Sequence, residues 1–129
     1  MTNLDASQRP VIIEVALNGQ TTKDVNPNAP RSSNEIAEDA LRCFENGAAI
    51  VHTHIDDIMS PGKRAAELYL EHFVPVLRER PGALIYPTLG FGEDVQAKYE
   101  HVKILHEEVG LRIGFVDPGS VNLGGADAT

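Results

Sequence analysis

The 129-residue sequence holds a single cysteine, Cys43, which excludes an internal disulfide and fits a reducing, cytoplasmic setting. Its neighbours, Leu41-Arg42-Cys43-Phe44, read as a helix face, so the thiol is assigned to packing and not to nucleophilic chemistry. Basic runs are equally scarce. No Lys/Arg cluster is longer than a pair and the net charge is −8, so nucleic acid or an anionic membrane surface is a poor main partner. No apolar segment approaches the roughly 20 residues that span a bilayer. Residues 1–10 lack the apolar core of a signal peptide. What is present is globular in kind: 42% apolar and 23% charged residues suit one packed domain, or part of a larger one.

The most informative stretch is Val51-His52-Thr53-His54-Ile55-Asp56. In a strand, residues two apart point to the same face, so both imidazoles can converge on one point. A single strand histidine is usually a core or edge residue. Two on one face, with Asp56 at the same parity, suit a metal better. Zinc prefers imidazole nitrogen with a carboxylate, and a catalytic site keeps one position open. Glu14 and Asp56 are the candidates for a third ligand. Otherwise Asp56 and Asp57 open a solvated loop, and Glu14 is a buried carboxylate that needs a basic partner.

Around this stretch, strands and helices alternate. Residues 11–17 are β-branched and nearly continuously apolar, which predicts a strand buried on both faces. A long loop with Pro27 and Pro30 follows. Ser32 with Glu35 forms a capping box ahead of a helix with Ile36, Ala37, Ala40, Leu41 and Phe44 on one stripe, stopped near Gly47. Residues 49–55 are the second strand. Ser60-Pro61 predicts an N-cap and first helical position for a helix over residues 63–80, which Pro75 should kink or break. Residues 83–88 form a third strand with an exit loop at Leu89-Gly90-Phe91-Gly92, whose backbone N–H groups act as turn elements before they act as an anion cradle. Val95, Tyr99, Val102 and Leu105 mark a third helix closed by Gly110, and residues 111–117 a fourth strand.

This β-α-β-α-β-α-β order implies an α/β fold with a parallel sheet. Parity favours a barrel over a doubly wound sheet. Ile13, Val15 and Leu17 share one face and Val51, Thr53 and Ile55 another, opposite Glu14, His52, His54, Tyr86 and Thr88. An apolar outer face with polar groups at the inner C-terminal rim is the habit of a (β/α)8 TIM barrel, which takes about 250 residues. The 129 residues are therefore expected to be the N-terminal half of a single TIM-barrel domain, its first four strands and three helices. Asn18, Thr88, Asp117, Ser120 and Asn122 would stand at that rim.

A family resemblance lies in four places. Pro10-Val11-Ile12-Ile13-Glu14-Val15-Ala16-Leu17-Asn18-Gly19, with Thr21-Thr22-Lys23, Asn26-Pro27 and Pro30, resembles the opening of the beta-keto acid cleavage enzymes. Glu45-Asn46-Gly47-Ala48-Ala49-Ile50-Val51-His52-Thr53-His54-Ile55 resembles their metal strand. Pro87-Thr88-Leu89-Gly90 and Gly119-Ser120-Val121-Asn122-Leu123-Gly124 resemble their third- and fourth-strand loops. The resemblance implies a (β/α)8 barrel, usually a tetramer, with zinc held by His52 and His54. It implies condensation of a beta-keto acid with acetyl-CoA to give acetoacetate and an acyl-CoA, with zinc as Lewis acid. Thr88, Asp117 and Ser120 are implied to contact substrate, with Glu14 and Asn18 behind the ligands. The family's glutamate ligand, its arginine–aspartate pair and a further glutamate have no counterpart here, so no catalytic residue is assigned and the isolated chain is expected to be inactive. Gln20 stands near a position where some members carry glutamate. Two other H-x-H patterns compete, those of metallo-β-lactamase-like hydrolases and amidohydrolases. The first has histidine where Asp57 stands, and the second carries its pair on the first strand. A non-catalytic truncated half-barrel is the remaining alternative.

Overall fold

Three parallel strands form one sheet in chain order: β1 (Glu14–Ala16), β2 (Ile50–Thr53) and β3 (Leu84–Pro87). Between and after them run α1 (Ser33–Glu45), α2 (Gly62–Glu79) and α3 (Val95–Val109). The computed structural model describes residues 10–116. Right-handed crossovers that always advance to the next strand leave their helices on one face of the sheet. Burial follows that rule. Val51, Thr53, Ile55 and Ile85 are buried, and Val51, Ile55 and Ile85 join the core with Ala40, Phe44, Tyr69, Phe73, Val76 and Leu105 from the helices. On the other face Glu14 and Ala16 are exposed and His52 and Tyr86 only half-buried. A doubly wound sheet would cover both faces. This one covers a single face, which is compatible with part of a (β/α)8 barrel.

The helix ends follow the sequence closely. Ser32 caps α1: its Oγ accepts from the Glu35 N–H at 3.3 Å, and the Ser32 N–H donates to Glu35 Oε2 at 3.0 Å. Gly47 (φ 97°) turns the chain out of α1, and Gly110 (φ 66°) ends α3 in the left-handed conformation that favours glycine. α2 departs from expectation at Ser60, and at Pro75 it is not broken. Pro61 takes the cap position without a side-chain bond, because the Ser60 hydroxyl donates to Asp57 at 2.8 Å instead. Pro75 does not break the helix, which runs on to Glu79. A mid-helix proline costs about 3 kcal/mol. Burying side chains such as Tyr69, Phe73 and Val76 repays roughly 1.5–3 kcal/mol each, and Pro75 itself faces solvent.

The strands are where expectation and structure part. β1 has three residues in place of the seven predicted, and Val11, Ile12 and Ile13 are exposed rather than buried on both faces. Residues 111–116 form no strand. A strand exists through its ladder, and among the described residues the one backbone bond that residues 111–116 donate is from the Leu111 N–H to the Leu105 carbonyl of α3, at 3.5 Å. Apolar alternation is present there, but no paired edge or second cover among the described residues turns it into a strand. No described helix is long and apolar enough to cross a membrane.

Phe73 is fully buried at the centre of the core. Phe73→Ala is expected to lower the unfolding free energy by about 3–5 kcal/mol. A urea midpoint within error of wild type would show that the cluster is not the core.

Candidate metal centre

β2 is bonded on both edges, with Ala16, His52 and Tyr86 in register across the sheet. His52 lies inside the strand and His54 just past its end, on the open face. Their ring centroids are 4.9 Å apart, edge to face at 78°. The Nδ1 atom of each is buried and has no hydrogen-bond partner. An orphaned buried polar atom costs about 1–3 kcal/mol unless something satisfies it. Burial lowers the His52 pKa, against the pull of the Tyr86 carbonyl and the Glu14 charge. Burial, then the charges of His52 and Arg31, lower His54 to about 4. Both imidazoles are therefore neutral near pH 7, the form that ligates metal. Two adjacent, neutral, unpartnered nitrogen donors fit zinc.

No third ligand joins them: among the described residues no group of three or more His, Cys, Asp or Glu side chains could hold a metal. Glu14 accepts the Tyr86 hydroxyl. With burial, that carboxylate pushes the Tyr86 phenol up to about 12. Asp56 is exposed and paired with Arg31. Asp57 accepts from Ser60.

Thr88 is held at the end of β3 by its backbone. Its N–H donates to the Tyr69 hydroxyl at 3.1 Å, and its carbonyl accepts from His101 Nε2 at 2.8 Å. The following loop packs onto α3. The Gly90 N–H donates to the Lys98 carbonyl at 3.2 Å, and a Cβ on Gly92 would come within 2.5 Å of Ala97 Cβ. These glycines permit close packing, and the Gly90 N–H is not free for an anion. Asn18 is buried against His54, with its amide on the His54 backbone. Asp117, Ser120 and Asn122 lie outside the described residues.

Residues 10–128 match the family described as beta-keto acid cleavage enzyme. The chain belongs to that family. Two relatives carry the name 3-keto-5-aminohexanoate cleavage enzyme. That of Acetoanaerobium sticklandii is 27% identical over 118 residues, covering 89% of this chain and 41% of the relative. That of Fusobacterium nucleatum subsp. nucleatum is 28% identical over 118 residues, covering 89% of this chain and 42% of the relative. The chain thus spans about two fifths of the length of these curated relatives.

Sequence reasoning missed four side chains around β2 and β3 of this beta-keto acid cleavage family member. Arg31 donates to the Gly19 and Thr21 carbonyls at 3.0 and 3.2 Å besides pairing with Asp56. The signal for it was a lone arginine closing a proline-bounded loop, with an acidic pair after the histidine strand. His101 and Tyr69 hold Thr88. His72 lies beneath β2, its Nε2 3.0 Å from the Thr53 hydroxyl. A polar Thr53 on the apolar parity was the available clue.

Burial holds His72 down to about 4, against an ordinary value of 6.5. The folded state thus resists protonation that the unfolded state accepts. Its effect is absent above the unfolded pKa and grows as pH falls toward the folded one. Unfolding free energy should therefore decline between about pH 6.5 and 4, with His72 accounting for roughly 3 kcal/mol at the low end. Urea titrations of wild type and His72→Gln across that range check this, since the variant should lose that part of the acid sensitivity. Parallel pH profiles for the two proteins would contradict it.

Proposed function

We propose that this chain carries the metal-binding rim of a zinc-dependent beta-keto acid cleavage enzyme, as the N-terminal half of a single (β/α)8 barrel domain. The whole enzyme condenses a beta-keto acid with acetyl-CoA to give acetoacetate and a new acyl-CoA. The observation that carries this is the adjacency of two imidazoles on the open sheet face, ring centroids 4.9 Å apart, each with an Nδ1 that has no hydrogen-bond partner. Family membership supplies the reaction class.

His52 and His54 would hold the zinc, which supplies Lewis-acid polarisation of the substrate's keto oxygen. The chain's other groups bind and orient. Tyr86 keeps its proton at neutral pH and directs it to Glu14, which fixes the carboxylate beside the pair. Thr88 offers a hydroxyl from a backbone fixed at both its N–H and its carbonyl. In this reading Asp117 and Ser120 bind substrate as well. Assembly into a homo-oligomer, a tetramer by family resemblance, and a cytoplasmic location belong to the same proposal.

Two histidines bind zinc more weakly than three protein ligands, and no general acid or base is assigned within the chain. The purified 129-residue chain is expected to take up zinc weakly, by elemental analysis after equilibrium dialysis, and His52→Ala to abolish that uptake. Equal zinc in both proteins would sink the assignment. The same chain supplied with a beta-keto acid and acetyl-CoA should form no acetoacetate, and measurable turnover would refute the view that the catalytic groups lie elsewhere.

A further inference from the structure

The ladder between β1 and β2 stops one rung short of His54. Its last bond is from the Leu17 N–H to the His52 carbonyl at 3.1 Å. A parallel ladder advances two residues per rung, so the next bond would run from the Gly19 N–H to the His54 carbonyl. It does not form, because the chain turns at Asn18-Gly19, where Gly19 has φ 54° and the Thr21 N–H closes on the Asn18 carbonyl at 3.3 Å. The Asn18 carboxamide is inserted into the vacant rung. Its Nδ2 donates to the His54 carbonyl at 3.0 Å. Its Oδ1 accepts from the His54 N–H at 2.9 Å and from the Gly19 N–H at 3.1 Å.

We propose that Asn18 is a positioning residue that fixes the backbone of His54, and so sets the metal affinity of the His52–His54 pair. This rests on the reading of that pair as a zinc site. The physical case is geometric. His54 lies past the end of β2, where no strand hydrogen bond to β1 holds it. A strand residue's Cα–Cβ direction follows from its peptide planes, and Asn18 grips the N–H and the C=O on either side of that Cα. Asn18 is only 6% exposed, so water does not compete for these bonds. No other residue type reproduces the arrangement. Aspartate keeps an acceptor for the two N–H groups but sets an oxygen against the His54 carbonyl. Leucine keeps the size and loses all three bonds. Glutamine carries the amide one methylene too far.

The test uses the full 129-residue chain as wild type, Asn18→Asp, Asn18→Ala and Asn18→Leu. Zinc binding is measured by calorimetric titration, and amide hydrogen exchange is followed at His54 and Val51. Loss of a group that orients a ligand typically weakens metal binding by about 10–100-fold. The expected result is that loss in the alanine and leucine variants, a smaller one for aspartate, and faster exchange at His54 while Val51 stays protected. Protection at Val51 shows that the sheet is intact, and the aspartate variant serves where leucine does not fold. Zinc affinity within twofold of wild type in Asn18→Ala overturns the proposal, as does wild-type exchange at its His54 amide. If the wild-type chain binds no zinc, the metal reading fails instead and takes the positioning role with it. The exchange rates then show separately whether Asn18 fixes the His54 backbone.

Discussion

Strand β2 is hydrogen-bonded on both edges, and the alternation along it divides the molecule. Val51 and Thr53 are fully buried against the helices, and His52 stands on the opposite face. A slip of one residue would exchange these sets, burying imidazole in the core and exposing Val51. Two features oppose the slip. The apolar cost is several kcal/mol when Val51 and Ile55 are counted together. The Thr53–His72 hydrogen bond adds to it, because moving Thr53 to the open face would leave His72 Nε2 buried without its partner. The polar pair beneath the strand thus fixes the register that presents His52 and His54 above it.

Electrostatics at the rim follow from where cations are held. Arg31 has a side chain only 18% exposed and ties together the turn after β1, the loop after His54 and the start of α1. Its partner Asp56 is 63% exposed, so the ion pair itself contributes about 0–1 kcal/mol. The consequence of Arg31 is geometric and electrostatic instead. It closes the loop around Asn18, and its charge helps keep His54 neutral. A neutral imidazole whose lone pair is unclaimed is what a metal site requires. That state arises here from burial first and charge second.

Much of this was legible in the sequence, for reasons that are local. The capping box of α1, the left-handed glycine after α3 and the parity of the histidine strand each depend on a few neighbouring residues. They appear in the structure as the sequence implies. What failed depended on partners. Residues 11–13 and 111–116 carry strand-like apolar patterns, but a ladder needs a second strand at the right edge, and a buried pattern needs a cover. Asn18, Arg31, His72 and His101 act through contacts between elements far apart in the chain. Their roles follow from loop conformation, which no spacing rule encodes. Asp117 and Ser120, named from the same family resemblance that named His52 and His54, fall outside the described residues.

Two features of the described residues lie together. Val11, Ile12 and Ile13 are 84%, 72% and 50% exposed just before β1, although their composition is that of a buried strand. The sheet face beside them carries two imidazoles with orphaned nitrogens and no third ligand among the described residues. An apolar run of this kind gains roughly 25 cal/mol for each Å² removed from water. A metal held by His52 and His54 would gain from a further carboxylate and from exclusion of solvent, since low dielectric strengthens each polar contact at such a site. One polypeptide wall laid over the open face would meet both demands.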